Sequence, residues 1–408
     1  MTASPHGPGR RLGLAALVAL VPLALVFVIG CAGKKTPNIP PQELVVKPWA
    51  NLGEQVPGHD GDADAVAGLS EVLAGKPPTL QPGRPLNILV MSGGGKYGAF
   101  TAGALVGWTA AGTRPTFDVA TGISSGAVVA VLAFLGPKYD EPLTRYFTTL
   151  RRQDIYAWKP IRGLCMGTGV MTPAPLERIL EQQVNDELMC DLRTAHAEGR
   201  RLYVGTGNVL TNRLAVWDLG AIASSGRPDA ALLVRKILVA SCAAPGVVTP
   251  VEFNVEVNGV LYTELHADAG NLSQAFVRTP AGIPPGSTAW VLSAGKVYRD
   301  QLKERPRVFG LIGGAVSNSL YALFRADLVK LYALCAVTKS QFRLLALPQE
   351  FPVTPSAFAF DPAELVRLYD VGFQMVADGQ DRWRRTPPDT LPNEITPPRT
   401  GLEFITRP

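Results

Sequence analysis

Two short glycine-rich segments carry the residue types and spacing that chemistry needs: Ser92-Gly93-Gly94-Gly95-Lys96-Tyr97-Gly98 and Gly122-Ile123-Ser124-Ser125-Gly126. The second has the Gly-x-Ser-x-Gly form of a nucleophile elbow, a sharp strand-to-helix turn that lifts a serine hydroxyl clear of a sheet. Gly122 and Gly126 relieve crowding at such a turn. A helix starting just after Ser124 lowers the cost of forming its alkoxide. The first segment sets backbone N–H groups of Gly93, Gly94 and Gly95 before a helix, where developing negative charge is stabilised. An attacking oxygen beside an anion cradle reads as acyl transfer, most simply ester hydrolysis.

Other uses of the glycines fit less well. Gly93-x-Gly95-x-x-Gly98 also matches a dinucleotide fingerprint, and Asp118 stands at the offset of about 20 residues where that fingerprint wants an acid. However, Asp118 falls at the start of its strand, whereas a ribose-binding acid belongs at the end. A Walker loop fails because Tyr97, not Ser or Thr, follows Lys96.

A serine nucleophile needs a base. The chain has four histidines, His6, His59, His196 and His266. None follows His266, so the order Ser, Asp, His of α/β-hydrolases is absent. His196 reads as a solvated residue of a polar helix end. The remaining candidate is a carboxylate in Glu264-Leu265-His266-Ala267-Asp268-Ala269-Gly270-Asn271, where Asp268 leaves a strand into a tight turn. His266 faces the same way as Asp268 on an extended segment; it reads either as a structural histidine or as a group that tunes Asp268.

Taken together, these segments resemble the patatin-like phospholipase family. The small-residue stretch Ala240-Ser241-Cys242-Ala243-Ala244-Pro245-Gly246 adds to the likeness, which spans about residues 86–295. The resemblance implies Ser124 as nucleophile, Asp268 as its base, an oxyanion hole around Gly93, Gly94 and Gly95, and the motif positions Gly98, Gly122, Gly126, Ala269 and Gly270. It implies no cofactor and no metal, and a phospholipid or other acyl-ester lipid as substrate. An acyltransferase or non-lipid esterase on the same dyad, or a catalytically silent binding lipoprotein, are the alternatives. Two departures stand out. Ala269 occupies a position that is glycine in the family motif, which costs about 1 kcal/mol if the backbone there has positive φ. Lys96-Tyr97 stands where family members often carry a basic residue just before the last glycine.

The elements that must position these residues follow from the pattern. Strands are predicted at 86–91, 117–121, 201–205, 213–218, 251–257, 260–265 and 289–292. Helices are predicted at 97–110, 125–134, 173–184, 187–197, 229–240, 308–336 and 362–377. This alternation implies an α/β, patatin-like three-layer fold, with a central, mostly parallel sheet flanked by helices. Both glycine segments then fall at the carboxyl ends of strands, where such sheets hold their sites. The long helix 308–336 reads as a core helix or as a membrane-facing lid.

Around this domain (86–379) the composition changes. Arg10-Arg11 and the apolar run 12–29 end in Val28-Ile29-Gly30-Cys31, which has the form of a lipobox. Residues 1–30 are therefore expected to be a lipoprotein signal peptide and Cys31 the lipidated residue, placing the chain on a bacterial envelope membrane, the outer membrane by preference because Ala32 follows the cysteine. Residues 31–85 are proline-rich and read as a tether, interrupted by a short helix at 63–74. Residues 380–408, with Arg382-Trp383-Arg384-Arg385, read as a surface strap whose arginines are solvated. A net charge of +5 over 408 residues gives no case for nucleic acid. Cys165, Cys190, Cys242 and Cys335 leave room for one or two disulfides of unassigned pairing.

Overall fold

The structure, a computed structural model, describes residue 38 and residues 82–159, 168–279, 282–300 and 308–388. Cys31, the expected signal segment, Cys165 and the helix expected at 63–74 lie outside the described residues. The strands are β1 (Asn87–Met91), β2 (Val119–Ile123), β3 (Ala157–Trp158), β4 (Gly169–Thr172), β5 (Arg201–Asn208), β6 (Arg213–Asp218), β7 (Gly246–Val248), β8 (Val251–Val257), β9 (Val260–Ala267), β10 (Thr288–Leu292) and β11 (Gln341–Leu345). The α-helices are α1 (Gly98–Ala110), α2 (Ser125–Leu135), α3 (Asp140–Thr149), α4 (Arg152–Ile155), α5 (Ala174–Gln183), α6 (Asp186–Ala197), α7 (Leu219–Ser224), α8 (Ala230–Ser241), α9 (Val308–Val337) and α10 (Pro362–Ala377).

An eight-stranded sheet runs β11-β10-β1-β2-β5-β9-β8, with β6 also paired to β5. The five strands β11, β10, β1, β2 and β5 are parallel. The others join antiparallel. The fold is thus α/β with a central, mostly parallel sheet flanked by helices. β1 and β2 are apolar runs because both faces are covered. Their side chains alternate between two cores: Leu89 and Met91 pack with α1, α2 and α10 on one face, while Ile88 and Val90 pack with Phe324, Leu328 and Leu331 of α9 on the other. That alternation is the three-layer arrangement read residue by residue.

The pairing of β5 brings the site together. β6 occupies one edge of β5 along Tyr203–Asn208. β2 lies on the other edge along Arg201–Gly205, ending with Ile123 opposite Gly205. β9 then takes over that edge from the opposite direction, with Ala267 opposite Gly207 and His266 opposite Asn208. Two strands therefore meet head to head across Thr206. The residue after each strand end is Ser124 on one side and Asp268 on the other.

Helix α9 divides into two halves, and the core reading of the sequence holds for one of them. Its second half is core, with Phe324, Leu328, Leu331 and Cys335 buried. Its first half projects over the carboxyl edge of the sheet and exposes Val308, Leu311 and Ile312. The strands β3, β4, β7 and β11 and the helices α3, α4 and α7 were not anticipated. β11 is a short mixed run, Gln-Phe-Arg-Leu-Leu, whose period is too brief to separate from a loop.

Residues 380–388 are held against the domain. Arg384 exchanges two backbone hydrogen bonds with Leu344 (2.8 and 2.9 Å), extending the edge at β11. The Trp383 ring packs on Trp108 (4.7 Å between centroids) and Trp290 (5.0 Å). Arg382 and Arg385 stay on the surface, paired with Asp378 and Asp381. Because Trp383 is half-buried in an aromatic cluster, Trp383→Ala is expected to cost about 2 kcal/mol. The check is a thermal midpoint lowered by roughly 4–8 °C.

Candidate functional site

Ser124 is in a conformation that L-residues rarely adopt, φ 57° and ψ −135°, between the end of β2 and the first turn of α2. Such a backbone stores about 1–3 kcal/mol and persists only where neighbours hold it. Two features do so. The Ser124 N–H donates to Ser241 Oγ (2.8 Å), and Ser241 in turn donates to the Gly205 carbonyl (2.8 Å). The flanking glycines let the chain pass close to itself: a Cβ on Gly122 would lie 2.5 Å from the Gly126 carbonyl oxygen and 2.7 Å from Ala127 Cα. Ser241 is fully buried at the end of α8. The small-residue segment was noted in the sequence, but nothing there marked Ser241 as the residue that fixes the elbow.

The Asp268 backbone N–H donates to the Ala243 carbonyl (2.8 Å), so the same small-residue segment also holds the end of β9. Its carboxyl receives the Gly270 N–H (2.8 Å), and the Ser124 side chain is near enough to favour its charged form. Burial pushes the Asp268 carboxyl up to about 6, and Ser124 and the Gly270 N–H oppose that rise. The result is a carboxyl that titrates near neutral pH beside Ser124.

Ala269 opens a 3-10 turn, Ala269–Asn271, and is fully buried beside Ile123 and Phe276. It is not among the residues with positive φ, so alanine is unstrained there. The departure from the family motif carries no backbone cost. Gly270 follows as the donor to Asp268.

The glycine loop lies across the same opening. Gly93 donates to the Gln274 carbonyl (3.4 Å) and Lys96 to the Ala357 carbonyl (3.0 Å). Among the described residues, none accepts a hydrogen bond from the N–H of Gly94 or Gly95. Gly95 has φ +57°, and a side chain there would run into the Ala357 backbone. At Gly98, the start of α1, a Cβ would lie 2.5 Å from the Phe147 ring. Lys96 does not face the opening. It is fully buried, with Nζ 2.9 Å from Glu364 Oε2 and 2.8 Å from the Thr354 carbonyl.

Asp327, buried in the middle of α9, accepts from the Gln274 N–H (2.7 Å) and the Ala275 N–H (3.3 Å). It ties the long helix to the turn after Asp268. Neither Asp327 nor Glu364 was singled out from the sequence. His266 is structural. Fully buried, it bonds Thr206 Oγ1 through Nδ1 (2.9 Å) and Glu264 through Nε2 (3.0 Å), with its ring packed against Trp217 and Phe253. His196 is less solvated than its neighbours suggest. Nδ1 is buried without a hydrogen bond, and burial lowers its pKa. Asp118 lies at the opposite end of β2 from the glycine loop, bonded to the Asn87 N–H (2.8 Å) and paired with Arg84 (2.5 Å). That position rules it out as a ribose partner.

Ser124, Asp268, Gly93, Gly94, Gly95 and Gly270 line one cavity of about 370 Å³, roofed by Val316, Leu320, Tyr321 and Phe324 of α9. Cys190, Cys242 and Cys335 are unpaired, so no disulfide joins the described cysteines. Among the described residues no cluster of three or more His, Cys, Asp or Glu side chains is placed to hold a metal ion. No helix of the described residues is long and apolar enough to cross a membrane.

Residues 89–279 match the family model described as patatin-like phospholipase. Twelve chains of solved structures match. One is VipD from Legionella pneumophila, at 12% identity and a TM-score of 0.36, with 71% of this chain and 66% of that chain covered. This chain thus spans just under two thirds of VipD. No curated protein matches the chain.

Proposed function

We propose that this chain, whose residues 89–279 form a patatin-like phospholipase domain, is a serine lipid acyl hydrolase working through Ser124 and Asp268. The domain itself supports a lipid acyl hydrolase in general; the roles of Ser124 and Asp268 are what we propose. The observation that carries it is the placing of the strained Ser124 beside a half-buried Asp268 whose carboxyl is raised to about 6, both on the lining of one cavity. In this reading Ser124 Oγ attacks the ester carbonyl while Asp268 takes its proton. Gly94 and Gly95 donate to the oxyanion, with Gly93 shaping the loop. Asp268 returns the proton to the departing alcohol. Water, activated by the same carboxylate, then releases the acid.

The sequence adds the setting: cleavage before Cys31 and its lipidation tether the domain to a bacterial envelope membrane, the outer membrane by preference. Fluorophosphonate labelling tests the nucleophile and product analysis the reaction. A Ser124-dependent adduct with release of free fatty acid from phospholipid supports the hydrolase. Acyl transfer to an added alcohol in preference to water turns the reading to a transferase. No adduct on a folded protein turns it to a silent lipoprotein. Membrane fractionation of Cys31→Ala tests the anchor, with release into the soluble fraction expected.

A further inference from the structure

Ser124 opens onto a second cavity as well as the first. This one, of about 80 Å³, is entered past Gly95, Ser124 and Ser125 and leads inward between helices. Along α2, Ser125, Val128 and Leu132 line it at i, i+3 and i+7, one face of the helix. At 1.5 Å of rise per residue, Leu132 lies roughly 10 Å down that face from Ser125. Leu180 of α5 and Leu238 of α8, each nearly inaccessible to solvent, complete a largely apolar wall that also holds Phe147 and Phe360. An apolar cavity of this kind stays dry and takes apolar guests.

Once Ser124 Oγ is bonded to an ester carbonyl whose oxygen points at Gly94 and Gly95, two substituents remain on that carbon. One is an alkyl chain with no polar atom. The other is an oxygen that must leave and be replaced by water. The two cavities differ in the same way: one is small and apolar, the other larger and partly polar, with Asp268, Asn271 and Gln274 on its lining. We infer that the inner cavity is the acyl-chain subsite, that it holds about the first three carbons beyond the carbonyl, and that the alcohol departs through the outer one. The inference rests on Ser124 as acyl acceptor. The balance is simple: the Ser124 O–C bond forms, the proton passes to Asp268, the C–O bond to the alcohol breaks, and the alcohol leaves with that proton. An apolar cavity of about 150 Å³ takes the six carbons of benzene. One of about 80 Å³ therefore takes about three carbons beyond the carbonyl, a butyryl group.

The test is kcat/KM for p-nitrophenyl esters from acetate to dodecanoate, measured on the wild type, Leu132→Ala, Val128→Phe and Ser124→Ala. In the wild type the value is expected to rise about fourfold per methylene up to butyrate and then stop rising. Leu132→Ala should move the optimum to longer chains by two to four carbons. Val128→Phe, which fills the cavity one turn from Ser125, should abolish the rise to butyrate; it carries the test should Leu132→Ala not fold. A wild-type profile that climbs through dodecanoate, or a profile that neither substitution changes, overturns the subsite while leaving Ser124 as nucleophile. Hydrolysis that persists in Ser124→Ala, or is absent from the wild type, overturns the functional reading and the subsite with it.

Discussion

Replacing Ser124 with Ala, or Asp268 with Asn, is expected to lower ester turnover by at least ~10³-fold, with each single change costing about as much as both together. The expectation comes from the geometry of the strand ends. Ser124 and Asp268 terminate strands that meet head to head on one edge of β5, so there is a single route for the proton. Among the described residues no histidine reaches it: His266 is occupied by Thr206 and Glu264. The pH profile separates this dyad from a histidine-based one. Asp268 acts as a base only when ionised, and its carboxyl is raised to about 6 by burial. Log kcat/KM should therefore climb with unit slope below pH 6 and level off above it. Additivity of the two losses, or activity flat down to pH 4, would remove Asp268 from the proton path.

The same raised carboxyl makes a stability prediction of defined sign. A carboxylate at 3.8 in the unfolded chain and about 6 in the fold contributes stability that is complete below pH 3.8 and lost as pH rises through 6. The loss is about 3 kcal/mol. Asn at position 268 does not ionise and keeps what Asp268 gives up. Asp268→Asn should thus match the wild type in thermal midpoint near pH 4 and exceed it at pH 8, an inactive protein more stable than the active one.

How much of this was legible in the sequence depends on the range of the interaction that fixes each residue. The glycine loop, the elbow and the turn after β9 announce themselves because their backbones demand particular residues locally: Gly at 122 and 126 for close approach, an Asp that caps its own turn at 268. The strands leading into them were readable as buried apolar runs. The long-range tethers were not. Ser241 holds the elbow across 117 residues and Asp327 holds Gln274 across 53, and neither side chain departs from what an ordinary helix tolerates at its position. Ala269 illustrates the opposite error. The family pattern made it look costly, but the turn it occupies is right-handed and needs no glycine. The twofold nature of α9 was hidden for a further reason: hydrophobic periodicity reports that a face is apolar and says nothing of what covers it.

Lys96 shows the largest gap between pattern and structure, and the second large effect follows from it. A lysine in a glycine loop invites an electrostatic role toward substrate. This one is turned inward, wholly buried, and paired with Glu364 in the first turn of α10. Glu364 also accepts the Thr354 N–H (2.7 Å), while the Lys96 ammonium donates to the Thr354 carbonyl (2.8 Å). Burial pushes the Lys96 ammonium down and Glu364 pulls it back up. The pair therefore staples the loop that carries Gly94 and Gly95 to segment 354–357, which also supplies the Ala357 carbonyl to the Lys96 N–H. Lys96→Met strands a buried carboxylate, for which the cost is about 3–5 kcal/mol. In a domain of this size, that cost should lower the thermal midpoint by roughly 10 °C. Lys96→Met/Glu364→Leu removes both charges and should recover most of that loss, since a buried pair is worth little more than the apolar residues that replace it. Turnover should not recover with it: a loop released from Thr354 would no longer hold in place the Gly94 and Gly95 N–H groups proposed to meet the oxyanion, and displacement by about 1 Å costs on the order of 10²-fold. Measuring melting and kcat on the single and double variants decides the matter. Recovery of both together would make the pair a matter of stability alone; recovery of melting without kcat identifies it as what sets the position of the loop.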